Sequence, residues 1–66
     1  RRGDRVSAER RYREAIDLDP LNLDARYNLA ALLRAQGRME EARRELTLLL
    51  EIDPADPDAR KAIEKP

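Results

Sequence analysis

Proton transfer and covalent catalysis call for a base, most often histidine, or an activated nucleophile, most often cysteine, serine or lysine. The chain of 66 residues contains no histidine and no cysteine. The usual base, the thiol nucleophile, disulfides and the common zinc and copper ligands are therefore all missing. Apart from Tyr12 and Tyr27, the hydroxyl side chains are Ser7 and Thr47. Ser7 falls in the first turn of a predicted helix, where capping or solvation accounts for it. The carboxylate pairs Glu40/Glu41 and Asp56/Asp58 stand at predicted helix starts, which the helix macrodipole makes favourable for anions. Neither pair then needs a metal or acid–base chemistry to explain it. Gly3 and Gly37 are isolated and are assigned to turns, not to a phosphate-cradling loop. The expectation is a protein that is not an enzyme and carries no cofactor and no metal.

Charge points the same way. Lys plus Arg and Asp plus Glu both number 14, a formal net charge of zero, so no global attraction to nucleic acid or an anionic membrane follows. The basic stretch RRGDRVSAERRYR could hold phosphates, with Tyr12 stacking on a base. Glu9, Glu14 and Asp17 are interleaved with its arginines, however, and Tyr12 falls on an apolar stripe. A solvated helix face is the expected reading, and no nucleic-acid partner is expected. The longest apolar run is LAALL, residues 29–33. That is far too short to span a bilayer. No secretory segment is present, which leaves the cytoplasm as the default compartment and membrane partners unexpected. The first residue is Arg, not Met, as expected of a segment cut from something longer.

The elements that would position any site follow from an internal repeat. DLDP at residues 17–20 returns as EIDP at residues 51–54, a spacing of 34. Shifting the chain by 34 residues aligns eight identities over 32 overlapping positions: Gly3/Gly37, Ala8/Ala42, Arg10/Arg44, Asp19/Asp53, Pro20/Pro54, Asp24/Asp58, Ala25/Ala59 and Arg26/Arg60. A shift of 33 aligns four, all Arg on Arg, and a shift of 35 none. Matching Gly, Pro, Asp and Ala positions report backbone geometry and close packing, so the period is structural.

Within the unit, Leu29, Ala30, Leu32 and Leu33 recur at helical spacing, widened by Leu23, Ala25 and Ala31. Asn22 is placed to cap that helix, and Gly37 follows it where a left-handed cap is favoured. A second helix carries Ala42, Leu46, Leu49 and Leu50 on one face, broadened by Leu48, and ends before Pro54. Asp56 caps a further helix with Pro57 at its first position and Ala59, Ala62 and Ile63 on one side. Upstream, Asp4 is expected to cap a helix bearing Val6, Ala8, Tyr12, Ala15, Ile16 and Leu18. Glu9/Arg13, Arg10/Glu14 and Arg13/Asp17 are spaced for ion pairs along it. Four helices are predicted, over 5–18, 23–35, 39–52 and 57–65. No segment alternates with period two, so no strand is predicted.

A unit of 34 residues, helix–turn–helix, with Gly in the turn, Ala early in the second helix and Pro after it, resembles the tetratricopeptide repeat. The resemblance rests on Leu29, Ala30, Ala42, Leu46 and Pro54, with Tyr27 and Asn28, and in the preceding half-unit on Ala8, Tyr12, Ala15 and Pro20. It divides the chain into the second half of a repeat (1–22), a full repeat (23–56) and the start of another (57–66). Arg26 stands where the family usually has a large aromatic, Leu33 replaces a Tyr, and Leu49 takes a site where Ala is preferred. The implied fold is all-α: helical hairpins stacked as a short right-handed solenoid. The implied function is a scaffold that binds a protein, either a peptide or a partner helix, in a concave groove. Carried over by position, that groove is Asp24, Tyr27, Asn28, Ala31 and Arg34. Asn28 matches a position where some such domains hold a peptide's C-terminal carboxylate. Those domains also need basic residues where this chain has Asp58 and Ala62, so the resemblance stops short of a carboxylate clamp.

Each hairpin needs a neighbour to bury its apolar stripe. The helix over 5–18 lacks a preceding partner, and Val6, Tyr12 and Ile16 are expected to present apolar surface. The last helix is likewise uncovered on its outer side. Exposed apolar faces mark contact surfaces, so the end faces are expected to be covered either by the rest of a longer protein or by another copy of this chain; a structural self-association module, stacking or exchanging helices between copies, is the alternative expectation.

Overall fold

The computed structural model describes residues 2–64 and contains four helices: α1 (Arg2–Leu18), α2 (Leu23–Ala35), α3 (Met39–Ile52) and α4 (Pro57–Glu64). Among the described residues there is no strand. Each helix packs on the next in sequence, α1 on α2, α2 on α3 and α3 on α4. The fold is all-α and of the helical-repeat type anticipated above.

The turns show why. The Asn22 side chain accepts from the Ala25 amide at 3.1 Å, so α2 begins there. Past its end, Gly37 adopts φ +79°. The Gly37 amide donates to the Arg34 carbonyl and the Arg38 amide to the Leu33 carbonyl, both at 2.9 Å. This is the paired hydrogen-bond closure of a left-handed cap, which a residue without Cβ accepts at least cost. The two Asp-Pro stops are built alike. Asp19 donates its amide to Ala15 at 3.0 Å and Asp53 donates its own to Leu49 at 2.8 Å. Their side chains accept from Leu21 at 3.1 Å and Ala55 at 3.2 Å. Asp56 then accepts from the Asp58 and Ala59 amides, each at 3.0 Å, and opens α4.

The start of α1 differs from the expected boundary. The helix already includes Arg2 and Gly3, which puts Asp4 within its first turn and not at a cap position. Gly3 therefore belongs to a helix, although it aligns with the turn glycine Gly37. An acid in the first turn complements the helix dipole as a cap would, so the same residue stabilises a helix that starts earlier. The predicted end of α4 at residue 65 lies outside the described residues.

Two apolar clusters form the core. Leu29, Leu33 and Ala42 make the first, with Tyr12 and Ile16 of α1 packed against it. Ala30, Leu46, Leu49 and Ala59 make the second, joined by Leu23, Tyr27, Leu50, Ala62 and Ile63. Leu49 is wholly buried in a cluster with two alanines. The large side chain from α3 takes space that Ala30 and Ala59 leave open, so size is complementary across the seam. Tyr12 and Ile16 are half-buried, contrary to the expected exposure. Of the three residues named for the N-terminal face, Val6 is the mainly exposed one, at 55 %.

Candidate functional site

Helix α2 lies between α1 and α3, and its sequence divides it into two faces. Ala25, Arg26, Leu29, Ala30 and Leu33 are buried. Asp24, Asn28 and Ala31 are exposed and follow one another at helical spacing on the opposite side. Tyr27 and Arg34 border them and are half-buried. The Tyr27 ring packs against the Leu46/Leu49 cluster. Arg34 Nη1 donates to the Ala62 carbonyl of α4 at 3.4 Å. The five predicted groove residues thus lie along one helix, three open to solvent and two occupied in holding α2 to its neighbours.

Arg26 is the buried charge among the described residues, 8 % exposed. Its Nη1 donates to Glu45 Oε1 at 3.0 Å and its Nη2 reaches the Pro20 carbonyl at 3.4 Å. Nε has no acceptor. One guanidinium therefore ties α2 to α3 and to the Asp-Pro stop after α1. An aromatic at this position would fill the same space without those bonds.

Between α1 and α3 runs a network of charges. Arg38 donates to Glu9 at 2.8 Å and to Glu41 at 2.7 Å. Arg13 reaches Glu9 at 3.0 Å and Glu41 at 3.6 Å. The hydrogen bond from Arg38 holds the Glu9 carboxyl below the usual glutamate range; partial desolvation opposes this and Arg13 adds to it. Arg38 likewise lowers Glu41 against a small desolvation. The two carboxylates in turn raise Arg38, Glu41 contributing more than Glu9. Of the three ion pairs expected along α1, Glu9/Arg13 forms. Arg13 turns to Glu41 and not to Asp17, and Arg10/Glu14 is not an ion pair among the described residues. Tyr12, packed on Leu29, Leu33 and Ala42, is unavailable as a stacking platform beside the N-terminal arginines.

A family profile described as tetratricopeptide repeat matches residues 1–65. The chain belongs to the tetratricopeptide repeat family. Over 58 residues it is 40 % identical to cellulose synthase operon protein C of Pseudomonas fluorescens (strain SBW25), covering 88 % of this chain. The chain spans only 4 % of that relative's length. No solved structure matches the chain. Tetratricopeptide repeats are in general protein-interaction modules and typically non-catalytic scaffolds. No helix among the described residues is long and apolar enough to cross a membrane.

By the division expected from the sequence, α2 and α4 would be first helices of their hairpins, and α1 and α3 second helices. The departures from the family pattern become intelligible on that frame. Leu49 is accommodated by Ala30 and Ala59. Arg26 substitutes an ion pair for aromatic packing. Sequence reading did not identify Arg26 as buried, yet a signal existed: it lies three and four residues before Leu29 and Ala30, on the same stripe. Nor did it find the Arg38–Glu9 link, whose partners are 29 residues apart.

Proposed function

We propose that the chain is a protein-binding scaffold whose first-helix face, centred on Asp24, Asn28 and Ala31 with Tyr27 and Arg34 at its border, receives a peptide or partner helix. The observation that carries this reading is the exposed stripe on α2, a helix buried on its other side and fixed by the Arg26–Glu45 pair. A rigid backing lowers the ordering cost of binding. Small and polar side chains at the centre allow close approach and hydrogen bonding.

The test is selection from a displayed library of random 12-residue peptides. Enriched peptides are then titrated against the parent chain and against Asn28→Ala/Ala31→Arg. Both substituted residues are exposed, so helicity by circular dichroism should be unchanged. Loss of about tenfold or more in affinity supports the reading. Failure to enrich any peptide, or equal affinity for both chains, sinks it.

Association between copies is the second reading. It draws on apolar side chains left open at Val6, Leu18 and Leu21. Concentration-dependent sedimentation would favour it, and a monomer at millimolar concentration would end it.

A further inference from the structure

Two ion pairs register α3 on its neighbours. Arg38 donates to Glu9 of α1 at 2.8 Å, and Arg26 of α2 donates to Glu45 at 3.0 Å. Ala42 lies between the two positions in sequence and packs against Leu29 and Leu33. Helix α1 has an apolar stripe fit for the same seat, because it repeats α3 at a spacing of 34 residues. Its Ala8 matches Ala42, Tyr12 stands for Leu46 and Ile16 for Leu50. Ala15, in place of Leu49, is the one much smaller member. Apolar pattern therefore separates the two helices only weakly.

Charge separates them at both registering positions. Where α3 has Arg38 and Glu45, α1 has Asp4 and Arg11. Set in the seat of α3, the α1 of a second copy would bring Asp4 to Glu9 and Arg11 to Arg26. Each is a like-charge contact. The second would be the more costly. The side chains of Arg26 and Glu45 are 9 % and 14 % exposed, so little water is present to screen a repulsion there. Glu45 is the one ion-pair partner of Arg26 among the described residues, and Arg26 Nε already lacks an acceptor. In their own places Asp4 and Arg11 are exposed, where water tolerates either charge.

We propose that the Arg26–Glu45 and Glu9–Arg38 pairs form an address that admits α3 to its seat on α2 and rejects α1. A buried ion pair adds little net stability over a well-packed apolar pair, so its consequence here is pairing order. The address does not depend on what the exposed face of α2 binds. It leaves contact between copies through Val6, Leu18 and Leu21 open, and it opposes the exchange of α1 for α3 between copies.

The probes are two fluorescein-labelled, end-blocked peptides of residues 4–18, the α1 sequence, one unchanged and one carrying Arg11→Glu. Both keep Ala15, so they differ only at the registering charge. The hosts are full chains whose tethered α3 is mismatched to its seat: Glu45→Arg in one and Arg26→Glu in the other. In fluorescence anisotropy the Arg11→Glu peptide should bind the Glu45→Arg host about tenfold tighter than the unchanged peptide. On the Arg26→Glu host the preference should reverse. Should either host lose helicity, the doubly reversed chain Arg26→Glu/Glu45→Arg decides. It should recover most of the urea midpoint lost in the single variants, because the attraction is restored with the signs exchanged. Packing alone predicts no recovery. No binding by either peptide, a preference indifferent to the host, or a reversed chain no more stable than the single variants would overturn the proposal.

Discussion

The seam where α1 meets α3 and the positions one 34-residue period further on, in α3 and α4, share a scaffold and differ in charge. At the first, a glutamate on α1 receives an arginine, and a buried arginine on α2 receives a glutamate. At the second, the corresponding positions hold Arg43 and Arg60. The apolar positions are conservative by comparison: Tyr12 becomes Leu46, Ile16 becomes Leu50 and Leu29 becomes Ile63 under the same shift. Apolar contacts make stacking favourable in either place, whereas charges set which helix belongs where. A repeat protein built from near-identical units needs such a distinction, because stripe chemistry alone would let units stack in any order.

The comparison can be tested from its strongest element downwards. Leu49→Ala removes the side chain that fills the space left by Ala30 and Ala59, and should cost about 4 kcal/mol. A domain of this size has little more stability than that, so the variant should be largely unfolded in urea titrations followed by circular dichroism. A cost below about 1 kcal/mol would show that the second cluster collapses around the gap. Next, Glu45→Ala strands a buried guanidinium and should cost about 3 kcal/mol. Arg26→Met, which removes the charge and keeps the bulk, should cost clearly less. If the two variants were equally unstable, packing and not charge would register α3.

The smallest effect concerns the exposed network at the first seam. Glu9 and Glu41 have carboxyls lowered by Arg38. Because the folded state holds them below their unfolded values, their contribution is present above the ordinary glutamate range, near pH 4.3, and is lost as pH falls through the lower folded values. The parent chain should therefore lose thermal stability below about pH 4 more steeply than Glu9→Gln/Glu41→Gln. Parallel curves would remove the network from the comparison. Salt should blunt the difference, because these groups are screened.

Much of this fold was legible in the amino-acid sequence, for a local reason. Asn22, Gly37, Asp56 and the two Asp-Pro stops act within a few residues of themselves, so their types announce the helix ends that the structure shows. Gly3 misled because a glycine has two uses: at Gly37 it supplies a positive φ, and at position 3 it is simply one residue of α1. Tyr12 and Ile16 were expected on an open face. The stripe shows which side of α1 is apolar, but not that α2 and α3 together would cover it. The candidate groove was placed on α2 by position in the repeat. The occupation of Tyr27 and Arg34 by packing depends on α3 and α4, which no local pattern reports. Charge pairing was the least legible. Arg26–Glu45 and Glu9–Arg38 join residues 19 and 29 apart, while the nearer pair Arg13/Asp17 gave way to Arg13/Glu41.

Helix α4 rests on α3, shares an apolar cluster with Ala30 and Leu49 through Ala59, and accepts a hydrogen bond from Arg34 of α2 at the Ala62 carbonyl. At eight residues α4 is the shortest of the described helices, and its amides should exchange with deuterium ahead of those in α2 and α3. Helices α3 and α4 enclose a concavity of about 660 Å3 that exists only while α4 stays in place, since Ala62 and Ile63 help to line it. Occupancy of that concavity and order in α4 are then two readings of one equilibrium: whatever settles there slows hydrogen exchange in α4, and whatever loosens α4 erases the pocket.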